Sequence, residues 1–257
     1  MERVTDSNTR RILALDRFDA FIFDLDGVIT RTAKLHAAAW KKMFDGYLAR
    51  HTSGANTFIP FNADSDYRRY VDGKPRYDGV RSFLESRKIH LPFGDPSDSP
   101  GTETICGLGN LKDEIYHAAL QSDGVEVYES SVQLLRRLRG SDTRTAVVSS
   151  SRNCLDVLKA ARIVDLFDAR VDGIELERLN MQGKPAPDMF IEASRRLDVP
   201  PRRCVGVEDA LAGVAAAKSA GFGCVVGVDR AHQAQALSRH GADIVVDDLG
   251  ELRIISK

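Results

Sequence analysis

Residues 18–31 read FDAFIFDLDGVITR, and they carry the clearest indication of the fold. Its centre, Phe21 to Phe23, is a short aromatic and β-branched run typical of a buried strand. Asp24 and Asp26 follow, and in extended backbone two side chains two residues apart project toward the same side. Like charges this close raise each other's pKa unless a cation neutralises them, so we expect a divalent metal at the strand tip. A polar strand end entering an Asp-Gly hairpin turn is the alternative interpretation.

The composition is that of an ordinary globular chain. Of its 257 residues, 43% are hydrophobic and 28% are charged, which is enough for a substantial core and for two unequal domains. The formal net charge of -1 provides no electrostatic reason to expect nucleic acid or an anionic membrane as a partner. We therefore expect neither a nucleic acid nor a membrane as partner.

The cysteines and the first residues bear on the cellular compartment. The cysteines show no CxxC spacing and no nearby paired histidines, which argues against a zinc site and against a disulfide framework; they are Cys106, Cys154, Cys204 and Cys224. No run approaches the roughly 18 apolar residues that a membrane span requires, and residues 1–16 lack a signal-type apolar segment. We expect a cytoplasmic protein in which residues 1–16 pack on, or fray from, the first strand.

Residues 32–125 have the pattern of a helical insertion. Residues 33–50 carry apolar side chains four apart, as in an amphipathic helix, and residues 112–120 return to helix after a second helix that follows the loop at 73–76. The stretch from 91 to 110 is rich in Gly, Pro, Ser and Asp, so it is predicted to be a surface excursion rather than a core element. The interpretation is a small α-helical cap domain over residues 32–125.

The remainder alternates between strands and helices. Strands are predicted at 145–148, 167–171, 204–207, 223–228 and 244–246, and helices at 132–139, 153–161, 188–197 and 210–220. This alternation predicts an α/β fold with a doubly wound, mostly parallel sheet, built from residues 1–31 and 126–257. Ligands bind such sheets outside the carboxyl ends of the strands.

Three predicted strand ends carry polar side chains. Glu208 and Asp209 would either cap the next helix or hold magnesium, which takes few carboxylates and keeps several waters. Ser149 and Ser150 would cap a helix, bind phosphate, or do both, because the hydroxyl and free amides of a helix cap also bind phosphate. Lys184 lies between prolines in QGKPAPD, where a lone lysine is usually solvated. The chain contains no GxxxxGK[ST] and no dinucleotide fingerprint, so ATP and NAD have no support.

The segments DLDGVIT, VVSSSRN, GKPAPDMF and GVEDALAGV resemble, in this order, the four motifs of the haloacid dehalogenase superfamily. The resemblance implies that Asp24 is a nucleophile that becomes an aspartyl phosphate. It implies that Asp26 is the general acid and base and lends its main-chain carbonyl to Mg²⁺. Phosphate would be held by Ser149 and Lys184, and the metal site completed by Glu208 and Asp209. These roles agree with phosphoryl transfer, which needs an in-line nucleophile, a metal, a cation and an acid.

Within the superfamily the chain resembles the β-phosphoglucomutase family more closely. DLDGVIT is followed by a pattern that Thr32, Ala33, His36, Trp40 and Lys41 match. Without the resemblance, His36 would be a packed or solvated histidine and Trp40 a core residue. The other matching positions are Gly73 and Arg76, which would bind the distal phosphate, Lys112 and Tyr116, and Arg152 and Asn153.

This resemblance implies a monomeric, Mg²⁺-dependent phosphomutase that interconverts β-D-glucose 1-phosphate and glucose 6-phosphate through β-glucose 1,6-bisphosphate. A sugar-phosphate phosphatase on the same fold would need Asp24 and Asp26 but not Arg76. A catalytically inactive phosphosugar-binding domain is the remaining hypothesis, and it comes from a different functional class.

Overall fold

The computed structural model describes residues 12–51 and 59–255. The chain divides into two compact units. One, the sheet unit, comprises Met1–Thr30 and Glu126–Lys257, and the other, the helical unit, comprises Arg31–Val125. The helical unit is therefore inserted into the chain of the sheet unit directly after DLDGVIT.

The sheet unit is built on six parallel strands. They are β2 (Ala20–Asp24), β3 (Arg144–Val148), β4 (Ala169–Val171), β5 (Cys204–Glu208), β6 (Cys224–Val228) and β7 (Ile244–Val246), with β1 (Ile12–Ala14) and β8 (Arg253–Ile255) in a separate pair. The spatial order of the six is β4-β3-β2-β5-β6-β7. Every residue of β2, β5 and β6 is buried, which explains why these strands are continuous apolar runs without polar alternation.

Helices cover both sides of this sheet, which confirms the predicted α/β, doubly wound fold. They are α4 (Glu129–Arg139), α5 (Cys154–Ala160), α6 (Gly173–Arg178), α7 (Asp188–Leu197), α8 (Leu211–Ser219) and α9 (Ala234–His240). One core cluster combines Ala20 and Ile22 of β2 with Met189 and Phe190 of α7 and Val214 of α8. The alternate residues Phe21 and Phe23 are also fully buried, because a strand projects successive side chains to opposite faces.

The helical unit has its own hydrophobic core. It contains α1 (Ala33–His51), a π-helical turn at Tyr67–Val71, α2 (Arg76–Ser86) and α3 (Ile105–Asp123). The buried aromatic residues Phe44, Phe61 and Phe83 are in mutual ring contact. Such contacts add to area burial, so an insertion of this length can be compact by itself.

The prediction that residues 91–110 form a surface excursion is wrong for its last six residues. Helix α3 begins at Ile105, because the Thr104 side chain accepts a hydrogen bond from the Gly107 amide and caps the helix. Ile105 and Leu108 are buried in the core of the helical unit. The two glycines at 107 and 109 concealed this helix, since glycine is a poor helix former.

Three short elements, β1, β8 and α6, have no counterpart in the sequence-based prediction. Strand β1 pairs in parallel with β8, and α6 follows β4. Elements of three to six residues are too short for hydrophobic periodicity to be visible. The prediction for residues 1–16 falls mainly outside the described residues, but within them Leu13 is buried.

Within residues 12–51 and 59–255, no helix is both long and apolar enough to cross a bilayer.

Candidate active site

The site is built on the carboxyl ends of three adjacent strands. β2 ends at Asp24 and β5 at Glu208, while Ser149 directly follows β3. β2 is hydrogen-bonded on one side to β3 and on the other to β5, with Asp24 beside Val148 and Phe23 beside Val207. Since all three strands are parallel, the polar groups that end them meet at one edge of the sheet.

A buried lysine joins two of these strand ends. The Lys184 ammonium donates hydrogen bonds to Oδ1 of Asp24 and to Oε1 of Glu208. Lys184 is 3% exposed, Asp24 7% and Glu208 0%, so the three charges lie out of bulk water. The default interpretation of Lys184 as a solvated lysine is therefore wrong, because its position between two carboxylates compensates for the desolvation of its charge.

Burial and mutual repulsion dominate the electrostatics of Asp24. Burial raises the pKa of its carboxyl group, the charges of Glu208 and Asp26 raise it further, and Lys184 opposes them without cancelling them. For Lys184, burial alone would lower the pKa of the ammonium, but the charges of Asp24 and Glu208 outweigh it and raise that pKa well above its ordinary value. One ammonium thus faces more than one carboxylate, and the site favours a second cation.

The donor set fits a hard divalent cation. Asp24, Glu208 and Asp209 each offer one carboxylate oxygen, and these three oxygens lie within 4.8 Å of one another. Oxygen ligands of this kind suit Mg²⁺ or Mn²⁺ rather than a thiophilic metal. Asp209 is not the N-cap residue of α8, because Ala210 occupies that position.

Glu208 is held from two directions. Its Oε2 accepts hydrogen bonds from the amides of Asp209 at 3.1 Å and Ala210 at 3.2 Å, while its Oε1 accepts from Lys184. A Cβ atom on Gly213 would lie 2.4 Å or less from both carboxylate oxygens. The sequence analysis did not select Gly213, and only the glycine in GVEDALAGV could have suggested a close approach of backbone to this carboxylate.

The carboxylate of Asp26 is directed to the β3 end. Its Oδ2 accepts a hydrogen bond of 3.3 Å from the Ser149 hydroxyl. Ser149 Oγ in turn accepts from the Ser151 amide at 3.1 Å, and Ser151 Oγ from the Asn153 amide at 3.1 Å. Ser149 and Ser151 therefore organise the turn before α5, and Ser149 also places its hydroxyl beside Asp26. The interpretation of these serines as helix-capping residues is thus compatible with their interpretation as phosphate ligands. Arg152 is exposed and forms an ion pair with Glu177.

Gly27 occupies a position that other residues would disturb. Its φ is +94°, a region that side chains disfavour, and its amide donates to the Thr30 carbonyl at 2.8 Å. A Cβ atom at this position would lie 2.6 Å from Cγ of Asp209. The glycine of DLDGVIT thus allows the backbone after Asp26 to approach Asp209 closely.

Gly27→Ala is expected to displace Asp209 as well as to strain the backbone. The positive φ alone costs about 1–2 kcal/mol for a non-glycine residue. Gly221→Ala is the matched control, because Gly221 has φ +77° and no atom lies within 4 Å of its added Cβ. Thermal denaturation should show a loss of stability in both variants, whereas the rise in Tm on addition of a divalent cation such as Mg²⁺ should become smaller only in Gly27→Ala. An equal rise in both variants would contradict the prediction.

In the helical unit, the structure gathers four residues that the resemblance selected. Lys112 Nζ lies 2.7 Å from His36 Nδ1, and it lies 5.1 Å and 4.8 Å from the ring centroids of Trp40 and Tyr116. The His36 and Tyr116 rings stack with centroids 4.1 Å apart. All four residues are buried, so this is a packed polar cluster within the helical unit. Thr32 is buried as well, and its carbonyl accepts from the His36 amide.

Arg76 is already engaged by a carboxylate in the helical unit. Its Nη1 lies 2.6 Å from Oδ2 of Asp113, and its guanidinium lies 5.0 Å from the Tyr77 ring centroid. Gly73, with φ +69°, forms the turn that leads to Arg76, the first residue of α2. Sequence reasoning did not select Asp113, which no spacing connects to Arg76 and only the packing of α2 against α3 reveals.

Known proteins resemble this chain over nearly its whole length. The family model of haloacid dehalogenase-like hydrolases matches residues 18–221. A β-phosphoglucomutase of Mycobacterium bovis is 48% identical over 247 residues, with 94% of each chain covered. A β-phosphoglucomutase of Bacillus subtilis is 34% identical over 236 residues, with 91% of this chain and 92% of the relative covered. The crystal structure of a β-phosphoglucomutase from Clostridium difficile superposes with a TM-score of 0.71 at 27% identity, with 92% and 93% of the chains covered.

Proposed function

Because the chain belongs to the family of haloacid dehalogenase-like hydrolases, we propose that it is a β-phosphoglucomutase, which interconverts β-D-glucose 1-phosphate and glucose 6-phosphate. The observation that carries this proposal is the likeness to curated β-phosphoglucomutases along both the sheet unit and the helical unit. The buried cluster of Asp24, Lys184 and Glu208 supports it, since it provides a nucleophile and a cation at one strand edge. The proposal includes Mg²⁺ as cofactor and a monomer acting in the cytoplasm.

The first half of the proposed cycle begins with phosphorylated Asp24. The 6-hydroxyl of β-glucose 1-phosphate attacks the phosphorus, Asp26 removes the hydroxyl proton, and the bond between phosphorus and Asp24 breaks. The products are β-glucose 1,6-bisphosphate and the free Asp24 carboxylate. Asp26 suits this role because its side chain is held by Ser149 at 3.3 Å and is only partly buried, within reach of a substrate proton.

The second half runs on the bisphosphate after it has turned round. An Asp24 oxygen attacks the phosphorus of the 1-phosphate, the bond between phosphorus and the C1 oxygen breaks, and Asp26 returns the proton to that oxygen. Glucose 6-phosphate leaves, and Asp24 is again an acyl phosphate. Splitting the reaction through a covalent intermediate in this way is the general advantage of nucleophilic catalysis.

Positive charge at the site stabilises the phosphoryl oxygens in this proposal. Lys184 carries three donors, of which two are directed to Asp24 and Glu208, so its remaining donor would bind a phosphoryl oxygen. Asp24, Glu208 and Asp209, with the main-chain carbonyl of Asp26, would hold Mg²⁺, which when bound supplies positive charge against the transferring group. Ser149 and Ser150, with Arg152 and Asn153, would complete the contacts to phosphate and sugar.

The residues of the helical unit would bind the part of the substrate that is not reacting. Arg76 would hold the distal phosphate, since a guanidinium fork matches phosphate oxygens. For this it must exchange or share Asp113, to which it is paired. Thr32, Gly73 and the cluster of His36, Trp40 and Lys112 would contribute to the same recognition.

A single assay tests the proposed function. The purified protein is supplied with Mg²⁺, β-glucose 1-phosphate and a trace of glucose 1,6-bisphosphate, and glucose 6-phosphate and free phosphate are followed together. Glucose 6-phosphate without matching phosphate release is the expected result. Phosphate release from several sugar phosphates, independent of the bisphosphate, would contradict the mutase and indicate a phosphatase. Binding of sugar phosphate without turnover would indicate an inactive binding domain.

Arg76→Ala separates the mutase from the phosphatase. A hydrogen bond to a charged group is worth about 1.5–3 kcal/mol, so loss of the distal phosphate contact should lower kcat/KM for the mutase reaction by about 10- to 100-fold. Phosphorylation of Asp24 by acetyl phosphate, which has no second phosphate, should be nearly unchanged. Arg81→Ala is the matched control, because Arg81 also lies on α2 but is exposed. If Arg76→Ala lowered the mutase reaction and the phosphorylation by acetyl phosphate equally, Arg76 would not act on a distal phosphate.

A further inference from the structure

The segment that follows β6 takes no part in the mechanism proposed above, yet it lies against both acidic strand ends. Asp229 folds this segment, because its Oδ1 accepts from the Gln233 amide at 2.8 Å and its Oδ2 from the Ala234 amide at 2.9 Å. Gln233 Nε2 then donates to the main-chain carbonyl of Asp209 at 3.3 Å. The segment is thus shaped by one carboxylate and touches the backbone of the β5 end.

Arg230 contacts the other acidic strand end, that of β2, through a shorter hydrogen bond than the one that Gln233 donates. Its Nε donates to the Gly27 carbonyl at 2.9 Å, and its Nη1 donates to the Asp247 carbonyl at 2.8 Å. The plane of its guanidinium lies over the Tyr128 ring, 3.6 Å from the centroid. The side chain is only 19% exposed, and Asp248 Oδ2 is 3.8 Å from Nη1. A cation fixed by two carbonyls and a ring in this way has little rotational freedom.

Two of the three chain segments that Arg230 contacts matter for the reaction. Gly27 directly follows Asp26 and packs against Asp209. Tyr128 lies on the segment that returns to the sheet unit, and its amide donates to the Ile29 carbonyl at 2.9 Å. Arg230 therefore links the backbone directly after Asp26 to this returning segment and to the Asp247 carbonyl. Because this contact is made to the residue next to Asp26, loss of Arg230 would let the Asp26 backbone shift even though the other hydrogen bonds of the loop remain.

We propose that Arg230 is a positioning residue that holds the loop of Asp26 and Gly27 in the geometry for proton transfer. This rests on the proposed function, in which Asp26 gives a proton to, and takes one from, the sugar oxygen. A misplacement of about 1 Å can cost about 100-fold in rate, so loss of the two carbonyl contacts should slow the steps that need Asp26. A step whose leaving group needs no proton should be far less affected.

The choice of phosphoryl donor isolates this effect. Acetyl phosphate transfers its phosphoryl group to Asp24 with acetate as leaving group, which departs without protonation. β-Glucose 1,6-bisphosphate transfers the same group only if the sugar oxygen receives a proton. Single-turnover phosphorylation of Asp24, followed by intact-protein mass spectrometry, therefore reports the role of Asp26 as the ratio of the two rates.

The experiment compares wild type, Arg230→Met, Arg230→Lys and the control Arg239→Met, since Arg239 is an exposed arginine on the neighbouring helix α9. In Arg230→Met the rate of Asp24 phosphorylation from the bisphosphate should fall by about 10- to 100-fold. The rate from acetyl phosphate should stay within about twofold of the wild-type rate. Arg230→Lys, which keeps the positive charge but lacks the planar guanidinium fork, should fall less. Arg239→Met should match wild type with both donors.

Equal losses with both donors in a folded Arg230→Met would overturn the proposal, because they would indicate a general structural role. If thermal denaturation shows that Arg230→Met does not fold, Arg230→Lys decides: an unchanged ratio of the two rates overturns the proposal and a lowered ratio supports it. A wild-type protein without mutase activity would overturn the proposed function instead. In that case the rate of hydrolysis of a sugar monophosphate, whose leaving oxygen also needs a proton, is divided by the rate of Asp24 phosphorylation from acetyl phosphate. If this ratio is the same in Arg230→Met as in wild type, the proposed role of Arg230 is overturned.

Discussion

Asp24→Asn is expected to abolish phosphoryl transfer while leaving the protein folded. The neutral amide cannot form the acyl phosphate, and loss of a catalytic nucleophile typically lowers the rate by roughly four to six orders of magnitude. Incubation with acetyl phosphate should leave no phosphorylated protein in the mass spectrum. The mutase assay with β-glucose 1-phosphate should show the same loss.

The stability of Asp24→Asn should be equal to or above that of wild type when no metal is present. The pKa of Asp24 is raised in the folded state by burial and by its acidic neighbours. A folded-state pKa above the unfolded value means that ionised Asp24 costs stability, and this cost grows as the pH rises through the interval between the two values. At neutral pH the amide removes this cost but keeps the pairing of Lys184 with Glu208.

Asp142→Asn is the control for this variant, because Asp142 is an exposed carboxylate in the sheet unit. It should leave both activity and Tm unchanged. If Asp24→Asn folded normally and still accepted a phosphoryl group, a residue other than Asp24 would be the nucleophile. If it kept the biological function without phosphorylation, the inactive binding domain would become the better hypothesis.

Lys184→Met is expected to cause the largest loss of stability. The substitution leaves the Asp24 and Glu208 carboxylates buried without their shared ammonium, and removal of one partner from a buried ion pair costs about 3–5 kcal/mol. For a chain of this size that corresponds to a fall in Tm of roughly 10 °C. Phosphoryl transfer should fall with it, because the cation that faces the phosphoryl oxygens is lost.

The pH dependence of this loss follows from the pKa of Lys184. That pKa is raised in the folded state by the two carboxylates, which outweigh the effect of burial. A raised pKa contributes stability that is fully present below the unfolded value and is lost only as the pH rises through the folded value. The contribution of Lys184 should therefore be complete at neutral pH. As the pH falls through the raised pKa of Asp24, this carboxylate is protonated and the difference in stability between variant and wild type should narrow.

Two further measurements identify the cause of the loss. Mg²⁺ should raise the Tm of Lys184→Met more than that of wild type, since a second cation can neutralise the same carboxylates. The double variant Asp24→Asn, Lys184→Met should recover part of the stability, because one unpaired charge is gone. Lys159→Met, which removes an exposed lysine of α5, should stay within about 0.5 kcal/mol of wild type. A Tm of Lys184→Met equal to this control would show that the buried cation does not compensate for the carboxylates.

Several features of the site follow from local patterns in the chain. The apolar run before Asp24 predicts a buried strand with acidic residues at its end, and the run before Glu208 predicts a second one. Because parallel strands present their carboxyl ends at one edge, these patterns were enough to predict that Asp24 and Glu208 lie near each other, as they do. The resemblance of the motifs added the family, which the match over residues 18–221 confirms.

Other features could not be read from local patterns because they depend on contacts between distant residues. Lys184 is 160 residues from Asp24 in the chain; its local surroundings are typical of a solvated loop, and only the resemblance of the motifs assigned it to the phosphate site, without indicating its pairing with Glu208. Arg230 is 203 residues from Gly27, and nothing in its neighbourhood indicates a carbonyl contact. Asp113 pairs with Arg76 only because α3 packs beside α2.

The order of the longer helices and strands and the strand ends that carry acids could be predicted from the sequence, because backbone periodicity and turn chemistry act over a few residues, and the motifs indicated the family. The burial of the charges, the shared pairing of Lys184 with Asp24 and Glu208 and the backbone contacts of Arg230 became visible only in the folded structure. Desolvation and charge pairing depend on what surrounds a group in space, and folding brings together residues that lie far apart in the chain.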